Sequence, residues 1–461
     1  MADRGADVSR HFADSVAGMV YEDLAADAVD AAKKSVLDTL GVALAASGLE
    51  PAVRGLVDLV RESGGRPEAS LLGFGGRAPA IMAAFANGAL AHSLDYDDLT
   101  PWGQHASSSV VPAVFAIAQR MGGVPGQDMI AAVAAGQDIF ARLRRHVGWR
   151  KDWNLGSVMG VFAATAAAAR ILGMTREGIH NALGIATQQS CGVMEVVAGT
   201  GGDFRGMYAG FSAKGAVLAT LLAQQGLTCV EAPFEGRYGI FNTYFDGRYD
   251  REGMLADLGR DYRGGSTLYK TWPSVGTSHS HIHATVQIVN AHDLAVEDIR
   301  EIRVYVGDYH NLMCTPLETR RAPRTLADAR FSLPFLVAIA AVRRGIAIWD
   351  FTEAGLRDPQ VLAVAQKVVP IEDSTFDWKL DLPPGRIEIV TRDGRSFSDV
   401  GTGFPGSPES PMTWDDLVHK FEECASAAAV RPSQGQVEAV VRMTRELEAL
   451  DDATEILRMP R

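Results

Sequence analysis

Cysteine is scarce in this chain, because only four of its 461 residues are cysteine. They lie far apart, with neither a CxxC pair nor the spacing of metal ligands, at Cys191, Cys229, Cys314 and Cys424. A disulfide scaffold needs many closely spaced cysteines in a short chain, so the sequence excludes that class of protein. We expect four reduced thiols and a cytoplasmic protein.

Positive charge and long apolar runs are also in short supply. The chain has 44 Lys and Arg against 56 Asp and Glu, a formal net charge of −12. Broad nucleic-acid binding needs a basic surface, so we expect no nucleic-acid partner, while a local pocket for a small anion stays compatible with this charge. The most apolar run, residues 160–172, is too short to cross a membrane and contains Arg170. The N-terminus has no apolar signal core, so we expect no membrane partner.

Motifs for nucleotides and metals are incomplete. The glycine-rich stretch at 198–215 has no GK[ST] and follows no clear strand, so it matches neither a Walker loop nor a dinucleotide fingerprint. His279, His281 and His283 alternate, but no nearby Cys or carboxylate completes a zinc ligand set. The acidic run at 95–98 lacks the regular spacing and closing glutamate of a calcium loop. The sequence favours a site without a metal.

Apolar residues at helical spacing are abundant in the first part of the chain. Segments rich in Ala and Leu, separated by Gly, Pro or short polar loops, predict helices at 27–47, 80–94, 108–121, 127–142, 157–173, 176–190 and 211–226. Several of them are apolar on nearly every face. Such helices are typical of the buried interior of a large bundle.

The pattern changes in the second part of the chain. Residues 298–309 alternate apolar and polar positions and are rich in β-branched side chains, which predicts a half-buried strand. Two short alternating runs at 385–400, around Asp393-Gly394, predict a hairpin. Helical runs lie between these strands, and helix returns after Thr413, which we predict to be an N-cap.

These patterns predict a mainly α fold with an α+β second domain. We expect a large helical domain at 1–265, with residues 401–461 packing back on it. The α+β domain should cover residues 266–400.

One polar cluster interrupts the apolar sequence at residues 89–111. It contains two histidines and three aspartates, namely His92, Asp95, Asp97, Asp98 and His105. A carboxylate and an imidazole on one loop can serve as acid and base, since histidine exchanges protons near neutral pH. The structural alternative is that the aspartates cap helices and the histidine is a satisfied polar group. We expect the serines at 107–109 to supply the N-cap of the next helix.

Two further stretches carry candidate site residues. Arg205 and Tyr208 are three residues apart beside a glycine-rich turn, and an Arg with a Tyr there would suit a carboxylate ligand. The alternative is a tight turn with a surface ion pair. Lys270 precedes Trp272-Pro273, which restricts the loop and could fix the ammonium in place. We expect one of the three alternating histidines, His279, at the site.

Several ordered blocks of this sequence resemble the MmgE/PrpD family. They include "NGALAHSLDYDD" with a histidine ten residues after its first Asp, "GSVMGVFAATAAAARILGM", "AGFSAKGAVLATLLAQQGLT" followed by "FEGRYGIF", "KTWPSVGTSH", "DARFSLPFLVAIA" and "PMTWDDLVHKFEECA". The resemblance spans nearly the whole chain. It implies a homodimer, a helical domain built from both chain ends, an inserted α+β lid with the pocket between them, and no metal or organic cofactor.

The resemblance also implies roles for individual residues. Asp95 and His105 match the family's acidic run and histidine, and Lys270 and His279 match its lid motif. The chain departs from the family pattern elsewhere: Asn154, Arg205 and Tyr208 stand where many members have His, Lys and His, and Leu99 stands where many have Thr. Arginine cannot act as a base at neutral pH, so we expect Arg205 to bind and hold a substrate carboxylate. The departures predict a substrate unlike those of the best-known members.

The sequence leads to one principal functional hypothesis, a cofactor-independent lyase of the hydratase or dehydratase type acting on a small carboxylated metabolite. The expected catalytic residues are Asp95, His105, Lys270 and Tyr208. The expected substrate-binding residues are Arg205, Asn154 and His279, with no metal ligand. An epimerase or isomerase, a decarboxylase, and a non-catalytic ligand-binding protein remain as alternatives.

Overall fold

The alanine-rich segments of the first half form a bundle of helices in the computed structural model, which describes residues 5–458. Their bounds are α1 Val8–Gly18, α2 Ala26–Leu49, α3 Pro51–Glu62, α4 Ala80–His92, α5 Ser107–Met121, α6 Gly126–His146, α7 Leu155–Ile171, α8 Arg176–Ala186, α9 Glu195–Ala198, α10 Tyr208–Gln224, α11 Ile240–Phe245 and α12 Arg251–Leu255. A two-stranded ribbon, β1 Ala69–Ser70 and β2 Arg77–Ala78, precedes α4. Small side chains let these helices pack closely around one apolar core.

Helices α4 and α10 approach each other closely through two glycines. A Cβ at Gly88 would lie 2.9 Å from the Cα of Gly210, and a Cβ at Gly210 would lie 2.5 Å from the carbonyl oxygen of Phe85. Only glycine leaves room for two backbones at this distance. The contact matters for the site, because α4 ends at His92 and α10 begins at Tyr208.

The last helices of the chain return to the same core. They are α19 Trp414–Ser426 and α20 Gln434–Arg445. Both pack on α2, and Leu417 and Phe421 join the first core. Thr413 caps α19 in a capping box with Asp416, which confirms the predicted N-cap.

A second apolar core lies in the α+β part of the chain. Its helices are α13 His279–Ala291, α14 Asp308–Leu312, α15 Leu317–Arg321, α16 Leu326–Arg330, α17 Leu333–Arg343 and α18 Pro359–Ala365. Its strands are β3 Ile299–Val306, β4 Val368–Glu372, β5 Arg386–Thr391 and β6 Ser396–Val400. The strand order is β4-β3-β5-β6, with β3 and β4 parallel and the other pairs antiparallel.

Strand β3 alternates as its sequence predicts. Ile302, Val304 and Val306 are buried, while Arg303 and Tyr305 lie on the other face against Glu388 of β5. Helices α13 and α17 pack together and cover the sheet on its apolar side. The resulting two-layer unit confirms the predicted mainly α fold with an α+β part.

Most of the other predicted elements are confirmed, with two differences. The hairpin around Asp393-Gly394 forms, and Gly394 has the positive φ of 92° that its turn requires. The predicted serine N-cap at 107–109 is wrong, because α5 begins at Ser107 and its N-cap is Ala106, without a capping side-chain bond. Helices α1 and α3 were not predicted. The boundaries at 265 and 400 stay predictions.

Within residues 5–458, no single helix is both long and apolar enough to cross a bilayer. Helices α2 and α3 together have the length and apolar composition of a membrane span, but the chain bends by 99° between them.

The α4–α10 contact gives a stability prediction. We expect Gly210→Ala to lower the free energy of unfolding by about 1–3 kcal/mol, because the new methyl group must displace backbone. The matched control is Gly55→Ala in the exposed middle of α3, where nothing lies within 4 Å of the added Cβ. That variant should be more stable by about 0.5–1 kcal/mol. Urea unfolding measures both, and equal effects of the two changes would contradict the close-packing account.

Candidate active site

The segment between α4 and α5 carries the acidic cluster. Immediately after α4, Asp95 adopts a left-handed backbone conformation with a φ of 50°. This conformation is uncommon for a residue with a side chain, although aspartate adopts it more readily than most residues. Asp95, Asp97 and Asp98 each contact a different set of partners, which separates their roles.

Asp97 is fully buried between two histidines. Its carboxylate lies 2.9 Å from Nδ1 of His92 and 3.3 Å from Nδ1 of His105. The two imidazole rings are 4.6 Å apart. Burial would raise the pKa of Asp97, but His105 and then His92 outweigh it and hold that pKa well below its usual value. Asp97 is therefore an ionised group that orients both rings.

The hydrogen-bond partner of His105 identifies its tautomer. Nδ1 lies 2.6 Å from the backbone carbonyl oxygen of Asp98. Because a carbonyl can only accept, Nδ1 carries the hydrogen, and the lone pair of the neutral ring lies on Nε2. Nε2 is 3.8 Å from Oδ1 of Asp95. This arrangement leaves Nε2 able to accept a proton from a substrate.

Lys270 lies beside Asp95. Its ammonium donates to the Asp95 carboxylate and, at 2.7 Å, to the Asp95 carbonyl. Burial would raise the pKa of Asp95, but Lys270 first, then His105 and His92, outweigh it and lower that pKa. Mutual backbone hydrogen bonds of 2.9 and 2.8 Å between Leu99 and Leu268 hold the lysine segment against the acidic loop.

A second buried lysine, Lys420 of α19, bonds to the backbone beside both members of this pair. Its Nζ lies 2.7 Å from Oδ1 of Asp38 in α2 and donates to the carbonyls of Tyr96 and Lys270 at 2.7 and 3.0 Å. Lys420 was not predicted from the sequence. Its position on the apolar stripe of α19, between Leu417 and Cys424, was nevertheless a sequence signal of a buried lysine.

The Asp98 side chain is hydrogen-bonded to two serines. Its carboxylate accepts from Ser35 Oγ at 2.6 Å and from the Ser107 backbone N–H at 3.4 Å. Burial, then the nearby Asp38 carboxylate, raise the pKa of Asp98 to about 7. The Asp98 side chain therefore joins the loop to α2 and to the start of α5.

A cavity of about 470 Å³, counting its open mouth, lies between the two cores next to His105. It is lined by Leu99, Gly103, Gln104, His105, Trp149, Asn154, Leu155, Met194, Val197, Tyr208, Val275, Gly276, Thr277, Tyr309, Trp378 and Leu382. Of its aromatic residues, only Tyr208 was predicted from the sequence. Trp149, Tyr309 and Trp378 are far apart along the chain, so only folding brings them together.

Tyr208 and Asn154 form a polar part of this cavity. The Tyr208 ring lies 4.4 Å from that of His92, and a Cβ at Gly156 would be 3.2 Å from the Tyr208 hydroxyl. Burial first, then Asp95, raise the pKa of Tyr208 well above its usual value, so the hydroxyl stays a donor. Asn154 caps α7 by accepting from the Ser157 N–H through Oδ1, which leaves its amide hydrogens to donate.

Four expected site residues do not line the cavity: the catalytic candidates Asp95 and Lys270, and the binding candidates Arg205 and His279. The Arg205 guanidinium donates to the carbonyls of Gly199 and Ala327 and lies 3.8 Å from Asp328. It belongs to the short turn Phe204–Met207 before α10, and it packs on the ring of Phe331 at 4.3 Å. These contacts hold the glycine-rich loop against α16.

His279 is the first residue of helix α13, buried against Trp272. Its Nε2 donates to the Trp272 carbonyl at 3.1 Å. Burial first, then Lys270, lower the pKa of His279 to about 3. His281 lies in the second core, where its Nε2 donates to the Tyr305 carbonyl. The three alternating histidines are thus helical and have separate environments.

Three residues offer ligand atoms that could hold a metal ion. One atom each from His92, Asp97 and His105 lies within 4.8 Å of the others. Hydrogen bonds from the two Nδ1 atoms to Asp97 and to the Asp98 carbonyl already account for this closeness. The set has no fourth protein ligand among residues 5–458.

Comparison with known proteins identifies the group to which this architecture belongs. The model of the MmgE/PrpD N-terminal domain matches residues 10–252, and that of the MmgE/PrpD C-terminal domain matches residues 272–453. The chain belongs to the MmgE/PrpD family. This confirms the resemblance that the sequence blocks indicate.

Relatives within the MmgE/PrpD family have named activities. A cis-aconitate decarboxylase of Aspergillus terreus is 26% identical, covering 97% of this chain and 94% of the relative. A cis-aconitate decarboxylase of Homo sapiens is 24% identical over 97% and 93%. A 2-methylcitrate dehydratase of Salmonella typhimurium is 25% identical over 84% and 83%. Decarboxylases and dehydratases are both lyases, and this enzyme class fits the chain.

Proposed function

We propose that this protein is a lyase that removes water from a small carboxylated hydroxy acid. The observation that carries the proposal is the order of three groups: His105 Nε2, the Asp95 carboxylate and the Lys270 ammonium. Elimination of water requires a base for the carbon-bound proton and a proton donor for the departing hydroxyl group. The family relatives that act as a dehydratase and as decarboxylases support the same class of reaction.

In the proposed reaction, His105 takes a proton from the carbon next to the substrate carboxylate. Negative charge then develops on the carboxylate oxygens, where the Tyr208 hydroxyl and the Asn154 amide donate hydrogen bonds. Lys270 gives a proton, relayed by the Asp95 carboxylate, to the departing hydroxyl group, which leaves as water. The proton on His105 returns to Lys270 by way of Asp95, so the enzyme ends in its starting state. The step uses no organic cofactor or metal.

Other expected residues take supporting roles in this proposal. Asp97 holds the His105 ring and stabilises it once it is protonated. We infer that Arg205 and His279 act through structure: the first fixes the glycine-rich loop, and the second packs behind Lys270. The four cysteines are unpaired, in keeping with an expected cytoplasmic location.

A decarboxylase is the second candidate function, because two of the relatives described above carry that name. The two reactions differ in product: decarboxylation releases carbon dioxide, while dehydration forms an unsaturated acid and water. An epimerase would incorporate solvent deuterium into unreacted substrate. A non-catalytic homologue would bind acids without converting them.

Replacement of the proposed base tests the function. We expect His105→Ala to lower kcat/KM by about 10²–10⁴-fold on a panel of 3-hydroxy acids, because the proton acceptor is lost. Formation of the unsaturated acid can be followed by ultraviolet absorbance and mass spectrometry. His419→Gln, on the exposed face of α19, is the matched control and should keep wild-type activity. Near wild-type turnover by His105→Ala would contradict the assignment.

We further propose a homodimer, as the family resemblance implies. An exposed aromatic group supports it: Phe204 and Phe211 are 42% and 38% exposed, and Phe211 packs against Phe85 at 4.9 Å. Exposed aromatic clusters are typical of interfaces.

Light scattering after size exclusion tests this interface. We expect Phe211→Glu to give a monomer, because a carboxylate would be buried at the contact. Val430→Glu, at an exposed position outside the aromatic group, should leave the mass unchanged. A wild-type mass equal to one chain would contradict the dimer, and a dimeric Phe211→Glu variant would contradict this surface.

A further inference from the structure

The charge of the cavity bears on which acid it accepts. Among the cavity-lining residues, all of which fall within 5–458, none is Lys, Arg, Asp or Glu. The nearest buried cations are occupied. Lys270 is paired with Asp95, and Arg205 is bonded to two carbonyls beside Asp328. The site therefore offers a substrate no unpaired positive charge.

Arg144 is a further cation near this region, and it too is engaged. It is 2% exposed, its guanidinium donates to Gln104, and it lies 5.7 and 5.5 Å from the ring centres of Trp149 and Trp378. Arg144 packs against these rings without lining the cavity.

Two of the polar groups that line the cavity are neutral donors. The Tyr208 hydroxyl and the Asn154 amide lie at the N-terminal end of α7, where backbone N–H groups favour one negative charge. These groups suit a single carboxylate. A second carboxylate placed elsewhere in the cavity would be buried without a counter-ion, which costs several kcal/mol.

One wall of the cavity is apolar, while Gln104, His105 and Thr277 add polar side chains elsewhere in the lining. The rings of Trp149 and Trp378 meet edge to face at 5.4 Å, and Tyr309 contacts Trp378 at 4.7 Å. Met194, Val197 and Leu382 line the cavity as well. This wall can bury an alkyl or aryl group and gains about 0.8 kcal/mol for each buried CH₂.

We propose that the enzyme selects monocarboxylic acids whose second substituent is apolar, and rejects di- and tricarboxylic acids. The inference rests on the proposed lyase function for its reacting carboxylate, and it extends that function by naming the substrate class. In the proposed reaction, such an acid carries its hydroxyl group on C3 and its alkyl or aryl group beyond that carbon.

A pair of non-reacting acids of equal shape tests the selectivity by itself. 4-Methylpentanoate and succinate differ only in that an isopropyl group replaces the second carboxylate. Isothermal titration calorimetry should show 4-methylpentanoate binding at least about tenfold more tightly, because its isopropyl group needs no counter-ion. Equal affinity, tighter binding of succinate, or no measurable binding of 4-methylpentanoate would overturn the proposal.

A charge placed in the apolar wall should reverse the preference. We expect Leu382→Arg to bind succinate more tightly than 4-methylpentanoate, while the matched control Leu382→Met keeps the wild-type order. An unchanged order in Leu382→Arg would mean that this wall does not face the second substituent.

Turnover separates this inference from the proposed function. The corresponding reactive pair is 3-hydroxy-4-methylpentanoate and malate, and the former should have the higher kcat/KM. If the binding order holds and neither hydroxy acid is dehydrated, the lyase proposal fails and the selectivity stands. If malate is dehydrated faster, the selectivity fails and the lyase proposal stands.

Discussion

The site depends on one interaction, the buried ion pair between Lys420 and Asp38. The Lys420 ammonium lies in an apolar core, where an unpaired charge would be strongly destabilising. The Asp38 carboxylate and the carbonyls of Tyr96 and Lys270 satisfy it. These partners come from α2, the acidic loop and the lysine segment, while Lys420 itself comes from α19. One charged group thus fixes four distant parts of the chain relative to one another.

The order of His105, Asp95 and Lys270 follows from that arrangement. Asp97 orients His92 and His105 from one side, and Lys270 neutralises Asp95 on the other. Lys270 pairs with Asp95 and Lys420 pairs with Asp38, so these buried charges tolerate an otherwise apolar environment. Because those charges are paired among themselves, little positive charge remains for a substrate. The preference that we propose for a monocarboxylic acid is a consequence of how the site is held together.

Much of the fold could be predicted from sequence, because helical spacing and strand alternation are local signals. The alternation of Ile302, Val304 and Val306 in β3 is one example. The residues at the site were predicted from motifs, but motifs could not separate residues that face the cavity from those that support it. Arg205 and His279 bond to backbone carbonyls, which depends on long-range packing. The wall of Trp149 and Trp378 depends on tertiary contacts as well, so no local pattern identified it. Lys420 had a local signal in its place on the apolar stripe of α19, but its partners depend on tertiary contacts.

The most direct test of this account is the kcat/KM of an Asp38→Leu/Lys420→Met double variant, compared with Lys420→Met alone. Removing only the lysine leaves a buried carboxylate unpaired and should cost about 3–5 kcal/mol of stability, whereas removing both charges should recover much of that loss. If Lys420 positions the site, the double variant will be stable yet at least about tenfold less active, because the carbonyls of Tyr96 and Lys270 have lost their anchor. A double variant with wild-type kcat/KM would contradict the account.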